Sequence, residues 1–194
     1  CFSLAEYLAC VDRRIARLAA IEPESIHHRK AAAIVSERMM PAWNDVRAAV
    51  AACGIPLDAP LAAAHRVISP SDFGFHNCLV TDEGLKFLDF EYAGWDDAAK
   101  TVCDFFCQPA VPVRREHFES FLAAAAEAAG DPEIRDRVAV LLPVYELKWC
   151  CIMLNEFLPA GDDRRSFAKA EHSHGERRLN QLHKVEAALD RLGA

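Results

Sequence analysis

Three oxygen-bearing side chains in the middle of this 194-residue chain have spacings that suit one kind of chemistry. Asp72 and Asn77 lie five positions apart in a loop of turn-forming residues, and Asp89 follows twelve positions later at the end of an apolar run. One carboxylate can orient a hydroxyl and take its proton, while a second carboxylate and an amide oxygen are ligands that Mg²⁺ accepts beside phosphates and water. Transfer of a phosphoryl group from ATP needs such a set, because its catalysis consists mostly of positioning and charge neutralisation.

A β-hairpin is the element expected to gather these side chains. The segments are a β-like run at residues 66–68, an irregular loop at 69–77, and strands at 77–81 and 85–90. Asp82-Glu83-Gly84 between the two strands is typical of a hairpin turn. Because the loop runs into the first strand and Asp89 ends the second, we expect Asp72, Asn77 and Asp89 at one edge of the hairpin. The plainer alternatives are that Asp72 and Asn77 are ordinary turn residues, and that Asp89 and Glu91 are the solvated end of a strand.

Helices dominate the rest of the chain. The periodicity of apolar residues predicts helices over about residues 3–20, 27–52, from 97 onward, 117–129, 131–158 and 165–192. Ser3 and Glu6 fit a capping box at the start of the first helix, and Asp96 with Asp97 fits an N-cap for the helix after the hairpin. The chain is therefore expected to be α+β and mainly α-helical, with residues 1–194 forming a single domain.

The stretch from residue 67 to residue 106 resembles the catalytic core of protein kinases, and in particular their aminoglycoside phosphotransferase and choline kinase branch. The residues that carry the resemblance are Ser69-Pro70-Ser71-Asp72-Phe73-Gly74-Phe75-His76-Asn77, Phe87-Leu88-Asp89-Phe90-Glu91 and Val102-Cys103-Asp104-Phe105. They match the pattern D-x-x-x-x-N, then an apolar strand ending in D-x-E, then a helix with an Asp-Phe pair. The resemblance implies a protein-kinase-like C-terminal lobe, in which a small β-hairpin carries the catalytic loop.

The resemblance also implies a role for each matching residue. The roles are catalytic base for Asp72, Mg²⁺ ligands for Asn77 and Asp89, auxiliary site carboxylate for Glu91, auxiliary site residue for His76, and structural brace of the catalytic loop for Asp104. His76 would contact phosphate or brace the loop, and the plainer alternative for it is a structural hydrogen bond. Three positions depart from the family pattern: Pro70 and Ser71 replace the usual His and Gly before the base, and His76 stands where Gly is common.

By the same resemblance, the expected activity is ATP-dependent transfer of the γ-phosphoryl group to a hydroxyl group of a small molecule, with ATP as co-substrate and Mg²⁺ as cofactor. The acceptor would be an aminoglycoside, an amino alcohol or a sugar, in a pocket walled by about residues 146–158 and 167–182. Kinases of this type also need an N-terminal β-sheet lobe that covers the nucleotide, and nothing before Asp72 looks like one. Since the chain does not begin with Met, we expect a fragment of a longer protein.

Two interpretations from other classes stay open. The first is a catalytically inactive, pseudokinase-like lobe that acts as a binding or scaffold protein, which the altered Pro70-Ser71 and the missing N-terminal lobe favour. The second is a helical regulatory protein without kinase ancestry. It predicts that Asp72, Asn77 and Asp89 are scattered in space.

Composition restricts the classes of binding partner and the cellular compartment that the sequence predicts. The net charge of −7 argues against nucleic acid or an anionic membrane as a partner and is compatible with a cationic small substrate. The apolar stretch at residues 138–158 contains Pro143, Glu146 and Lys148, so it predicts a buried core helix rather than a membrane span. The eight cysteines include no C-x-x-C pair and are predicted to be reduced and buried in a cytoplasmic protein. His172-Ser173-His174 predicts a solvated helix face rather than a metal site, because its two rings would point to different faces.

Overall fold

The computed structural model describes residues 1–158 and 174–192, which are mainly helical with a small antiparallel β region. In chain order the described helices and strands are α1 (Leu4–Leu18), α2 (Ile26–Ile34), a π-helix (Val35–Met39), α3 (Met40–Ala52), β1 (Arg66–Ser69), β2 (Cys78–Thr81), β3 (Gly84–Phe87), β4 (Gly94–Asp97), α4 (Ala98–Cys107), α5 (Phe118–Ala129), α6 (Ile134–Leu154) and α7 (His174–Leu192). The prediction of an α+β, mainly helical chain is confirmed. Residues 165–173 of the last predicted helix lie outside the described residues.

The chain divides into two compact units. Unit 1 consists of Cys1–Tyr7 and Cys53–Tyr145, and unit 2 consists of Leu8–Ala52 and Glu146–Ala194. The four strands, α4 and α5 belong to unit 1, as do the individually nominated site residues Asp72, His76, Asn77, Asp89, Glu91 and Asp104. The π-helix, α2, α3 and α7 belong to unit 2.

The predicted hairpin is confirmed, although its second strand is shorter than expected. β2 and β3 are antiparallel, with Cys78 opposite Phe87 and Thr81 opposite Gly84. Gly84 has φ +108°, a conformation that strains any residue with a side chain, so the turn requires glycine here. The second strand was predicted to reach residue 90, but Asp89 has φ +62°, a left-handed conformation outside the β region. The regular strand ends at Phe87.

The β-like run before the loop is also confirmed, and it has a partner strand that the sequence analysis missed. β1 pairs with β4 in antiparallel fashion, so that Arg66 lies opposite Asp97 and Ser69 opposite Gly94. β4 contains two aspartates, a residue type that is depleted in strands, so propensity does not predict it. Asp97 then caps α4 as predicted, because its Oδ1 accepts the N–H of Ala99 at 2.9 Å.

Two helix ends in unit 1 follow capping chemistry. The N–H of Glu6 donates to Ser3 Oγ at 3.3 Å, which is one half of the predicted capping box. The other half differs, because the Glu6 carboxylate accepts the N–H of Phe2 at 2.6 Å. α5 ends as predicted at Gly130, whose φ of +59° is the left-handed conformation that favours glycine after a helix.

In unit 2, the helix predicted over residues 27–52 is interrupted by the π-helix. Ser36 Oγ–H donates to the carbonyl oxygens of Ala32 at 3.1 Å and Ala33 at 3.3 Å. Such back-bonding competes with the backbone ladder, and it occurs where the helix widens into the π-turn. α7 packs against α2. The ion pairs of α7 with this region are Lys30–Glu186 at 3.0 Å and Arg38–Asp190 at 2.6 Å.

The segment Ile134–Phe157 is long and apolar enough to cross a membrane by length and composition. Over half of its most apolar window, 56%, is buried inside the structure. Core helices of soluble proteins meet the same criterion, and the segment also contains Pro143 within α6. The segment fits the predicted core helix.

Candidate active site

The predicted catalytic loop connects β1 to β2 and has a tightly folded backbone. The N–H of Asp72 donates to the carbonyl oxygen of Pro70 at 2.9 Å, and the N–H of Asn77 donates to that of Gly74 at 3.0 Å. Ser71 has φ +69°, a left-handed conformation that costs a residue with a side chain about 1–2 kcal/mol. The backbone thus has a conformation that glycine favours, although the residue is serine.

Asp72, His76 and Asn77 form one hydrogen-bonded cluster. His76 Nε2 lies 3.2 Å from Asp72 Oδ1. Asn77 Nδ2 donates to the backbone oxygen of Asp72 at 3.0 Å and lies 3.4 Å from its Oδ2. The Asp72 side chain remains 47% exposed, whereas the His76 side chain is 19% exposed. The carboxylate is therefore held from within the loop and still accessible to a small molecule.

Asp89 follows Leu88, the residue whose N–H pairs with Asn77 at the end of the hairpin. The N–H of Leu88 donates to the carbonyl oxygen of Asn77 at 2.8 Å, which extends the β2–β3 pairing by one residue beyond Cys78 and Phe87. Paired residues in an antiparallel ladder are about 5 Å apart and neighbouring Cα atoms about 3.8 Å apart, so the Cα atoms of Asp89 and Asn77 are within roughly 10 Å. Glu91 follows two residues later, and both carboxylates are exposed.

The oxygen atoms near the loop are suitable ligands for a hard cation that is already bound to phosphate and water. In residues 1–158 and 174–192, no three His, Cys, Asp or Glu side chains converge as a metal site. Mg²⁺ usually binds through only one or two carboxylates, with phosphate and water completing the octahedron. Asn77 uses only Nδ2 in its hydrogen bonds, so Oδ1 has no partner among the described residues. Asn77 and Asp89 therefore fit the chemistry of a nucleotide-borne Mg²⁺.

An aromatic cluster anchors the loop on its other side. Phe73, directly after Asp72, stacks on Phe87 of β3 with ring centroids 4.8 Å apart and contacts Phe105 of α4 at 5.3 Å. Phe105 in turn stacks on Phe121 of α5 at 4.5 Å. A cavity of about 450 Å³ opens here, lined by Phe73, Phe75, Phe87, Phe105, Val113, His117, Ser120 and Phe121. Hydrophobic packing thus fixes the residue next to Asp72, which the sequence analysis did not foresee.

Lys100 connects α4 to the loop, and the sequence analysis missed it. Its Nζ lies 2.6 Å from Asp96 Oδ2 and 3.5 Å from Asp104 Oδ2, with the lysine side chain only 12% exposed. It also donates to the backbone oxygen of Ser71 at 3.1 Å and to Ser71 Oγ at 3.2 Å. Asp104 was predicted to brace the loop, and it is connected to the loop indirectly, because Lys100 contacts both Asp104 and Ser71. The spacing of Asp96, Lys100 and Asp104, four residues apart each, was the available signal.

A second buried ion-pair network joins the start of α4 to α6. Arg137 contacts both oxygens of Asp97 at 3.1 Å and is also bonded to Asp131. Burial alone would raise the pKa of Asp131. The hydrogen bonds from Arg137 and from the N–H of Glu133, together with the charge of Arg137, outweigh burial and lower this pKa below its ordinary value. Burial likewise opposes the charge on Arg137, but its hydrogen bonds to Asp131 and Asp97 raise its pKa.

A larger cavity of about 590 Å³ lies where the chain start, the segment before β1 and the start of α6 meet in unit 1. Its lining includes Tyr7, His65, Asp97 and Arg137, and none of the residues nominated for catalysis. Burial, followed by the charges of Asp97 and Asp96, raises the pKa of Tyr7, so its hydroxyl is neutral. The cavity is at the Arg66–Asp97 end of the β1–β4 ladder, whereas the loop leaves from the Ser69–Gly94 end. It is therefore separate from the candidate active site.

Two predictions concern residues beyond the described part of the chain. The acceptor pocket was expected to be walled by about residues 146–158 and 167–182, of which 167–173 lie outside the described residues. His172 and Ser173 of the histidine pair motif also lie there, and the His174 side chain is not described. Both predictions stay predictions.

The comparisons with known proteins add no relative to this description. No protein-family model matches the chain, and no curated protein sequence matches it. The functional argument therefore depends on the residues and their geometry.

Proposed function

We propose that the chain is the catalytic C-terminal lobe of a small-molecule kinase with a protein-kinase-like fold. It would transfer the γ-phosphoryl group of ATP to a hydroxyl group of an aminoglycoside, amino alcohol or sugar, with Mg²⁺ as cofactor. The observation that carries the proposal is the cluster of Asp72, His76 and Asn77, with Asp72 half exposed and Asp89 following Leu88, whose N–H pairs with Asn77.

Asp72 would act as the general base. The acceptor hydroxyl binds to its exposed carboxylate, which takes the proton as the hydroxyl oxygen forms its bond to the γ-phosphorus. The bond between that phosphorus and the β–γ bridging oxygen breaks, and ADP leaves. The contacts from His76 and Asn77 reduce the freedom of the Asp72 carboxylate, so it starts close to the geometry that proton transfer needs.

Asn77, through Oδ1, and Asp89, through its carboxylate, would hold the metal ion. When bound, Mg²⁺ neutralises charge on the transferring phosphates and orients them. Glu91, two residues from Asp89 and exposed, would contribute a further carboxylate at the rim. The left-handed conformation of Asp89 turns the chain away from the strand direction directly after β3.

Turnover by the protein expressed from its complete reading frame tests this proposal. ADP release is measured with ATP, Mg²⁺ and a panel of aminoglycosides, amino alcohols and sugars. We expect Asp72→Asn to lower kcat by about 10³-fold, because general-base catalysis contributes about 10²–10⁴-fold. Asp82→Asn, an exposed carboxylate in the hairpin turn, serves as the matched control and should keep the wild-type rate. Wild-type turnover by Asp72→Asn would refute the assignment of the base.

A non-catalytic binding lobe is the second candidate, and one observation favours it. Large apolar side chains near the hairpin and the β1–β4 ladder are more than half exposed: Ile68 at 72%, Val80 at 84%, Phe90 at 54%, Tyr92 at 70% and Trp95 at 67%. Exposed apolar surface of this kind marks an interaction site. In a kinase, it would be covered by the expected nucleotide-binding lobe. If neither ATP–Mg²⁺ binding nor ADP release is detected with the complete protein, the binding lobe becomes the better explanation.

A further inference from the structure

We propose that Lys100 is a positioning residue for Asp72, which acts by holding the peptide group between Ser71 and Asp72. This role rests on the proposed kinase function for its catalytic consequence, whereas the orientation of Asp72 can be observed without any activity. The inference adds a second element, α4, to the machinery that prepares the catalytic loop.

The peptide group that precedes Asp72 is fixed at both ends. Its carbonyl oxygen, which belongs to Ser71, accepts from Lys100 Nζ at 3.1 Å. Its N–H, which belongs to Asp72, donates to the Pro70 carbonyl oxygen at 2.9 Å. A peptide group is planar, so fixing both ends sets the direction in which the chain enters Asp72. The Asp72 carboxylate then needs only its own side-chain torsions to meet His76 and Asn77.

Ser71 contributes through its side chain as well as its backbone. Its Oγ accepts from Lys100 at 3.2 Å, and its N–H donates to Ser69 Oγ at 3.0 Å. Every polar group of Ser71 is thus engaged while the residue has a left-handed conformation that serine disfavours. A glycine at this position would adopt that conformation without strain but would offer no hydroxyl. The serine and the lysine therefore act together where the family pattern has glycine.

The ammonium group of Lys100 is held in place by buried charge. The side chains of Asp96, on β4, and Asp104, on α4, are 9% and 5% exposed, and each lies four residues from Lys100. Because both carboxylates are buried, the lysine charge offsets part of the cost of burying theirs, and moving the ammonium group into solvent would lose that compensation. This arrangement makes Lys100 a fixed hydrogen-bond donor rather than a mobile surface lysine.

The test uses variants that keep the fold and change only the contact. Lys100→Arg keeps the charge between the two aspartates but offers a planar, longer donor. Ser71→Ala keeps the strained backbone and removes the hydroxyl, and Ser71→Gly removes both the hydroxyl and the strain. Lys86→Met, at an exposed lysine paired with Glu83 at 3.0 Å on the hairpin, is the matched control.

Two readouts separate positioning from mere stabilisation. The first is kinetic: we expect Lys100→Arg and Ser71→Ala to lower kcat about tenfold or more with KM for ATP and acceptor within about twofold, and Ser71→Gly to lose less than Ser71→Ala. The second is the NMR signal of the His76 ring nitrogens, since His76 Nε2 contacts Asp72 Oδ1. That signal should move in Lys100→Arg and Ser71→Ala and stay in place in Lys86→Met.

The outcomes distinguish this proposal from the proposed function. If the His76 signal moves as expected but no variant, including wild type, transfers phosphate, the positioning role stands and the kinase assignment fails. If wild type is active and both Lys100→Arg and Ser71→Ala keep the wild-type kcat and the wild-type His76 signal, Lys100 does not position Asp72. If kcat per folded molecule is unchanged and only the unfolding temperature falls, the role is structural and the proposal is likewise overturned.

Discussion

Gly74 is a position in the loop where an added side chain would clash with a neighbouring ring. A Cβ atom added there would lie 2.6 Å from His76 Nδ1 and 2.7 Å from His76 Cε1, closer than such contacts occur. The backbone of Gly74 is extended, with φ 174°, so a side chain would be opposed by the imidazole and not by the backbone conformation. The absence of a side chain at Gly74 therefore leaves the space in which His76 reaches Asp72.

This contact gives a prediction at the residue scale. We expect Gly74→Ala to lower the free energy of unfolding by about 1–3 kcal/mol, because the added methyl group overpacks against the ring. His76→Ala in the same chain should restore most of that loss, which a double-mutant cycle in urea measures. An equal loss from Gly74→Ala in the presence and absence of the His76 ring would show that the contact is not the cause.

The residues of the loop could be nominated from the sequence, but their supports could not. Asp72, Asn77 and Asp89 stand out because their types and spacing fit one chemistry. Lys100 and Phe73 do not, since a lysine in a helix and a phenylalanine in a loop are ordinary residues until their neighbours are known. Their partners on β3, α4 and α5 are distant in sequence, and no local pattern reports such contacts.

At the scale of elements, the ion-pair network of Arg137 fastens the start of α6 to the start of α4. Asp97 caps α4 and pairs with Arg137, while Asp131 pairs with the same guanidinium from the turn before α6. The Asp97 and Asp131 side chains are 2% and 1% exposed. Charges buried this deeply stabilise a fold only while both signs are present.

Acid should therefore weaken this connection. The pKa of Asp131 is lowered below its ordinary 3.8, so its stabilising effect is fully present above about pH 4 and is lost as the pH falls through the lowered value. We expect Asp131→Asn to lower the free energy of unfolding by about 2–3 kcal/mol at pH 7. The difference from wild type should shrink below about pH 4, as measured by urea unfolding.

A matched control is available on α6, next to Arg137. Asp136 is exposed, so Asp136→Asn should change the free energy of unfolding by less than about 0.5 kcal/mol at every pH. If Asp131→Asn lowers the free energy of unfolding by the same amount at pH 7 and below pH 3.5, the ionisation of Asp131 does not cause the pH dependence described above.

Elements differ in how far the sequence predicts them. The hairpin follows from its turn residues, and α5 follows from its apolar periodicity and Gly130. β4 does not, because Asp96 and Asp97 disfavour a strand and are tolerated only where Lys100 and Arg137 neutralise them. Tertiary partners override local propensity there.

Across the whole chain, all eight cysteines are free thiols in the structure. Their burial is less uniform than expected, since Cys1 is exposed and only four thiols are fully buried: Cys103, Cys107, Cys150 and Cys151. Burial, followed by the neighbouring Cys151, raises the pKa of Cys150 to about 12. Burial also raises the pKa of Cys151 to about 12.

The difference in burial between Cys1 and the pair Cys150 and Cys151 gives a prediction for thiol labelling of the native protein. At pH 8, about one in ten thousand molecules would carry a thiolate at Cys150, because the pH lies about four units below the pKa. We expect iodoacetamide to label Cys1 rapidly and to leave Cys150 and Cys151 unmodified, as mass spectrometry of the digested protein would show. In about 8 M urea all eight should react. Labelling of Cys150 at the rate of Cys1 in native buffer would contradict the described burial.

The π-helix in unit 2 changes the angular phase of the helix that contains it. At about 100° of rotation per residue, Trp43 and Val50 would lie about 100–120° around an uninterrupted helix from Ala31. The wider turn accommodates one more residue and takes back about 100° of that rotation, so all three buried residues return to one stripe. A chain with one residue fewer between Val35 and Met39 could bury the same stripe as a plain α-helix. The π-turn therefore absorbs a single additional residue without disturbing the packing on either side.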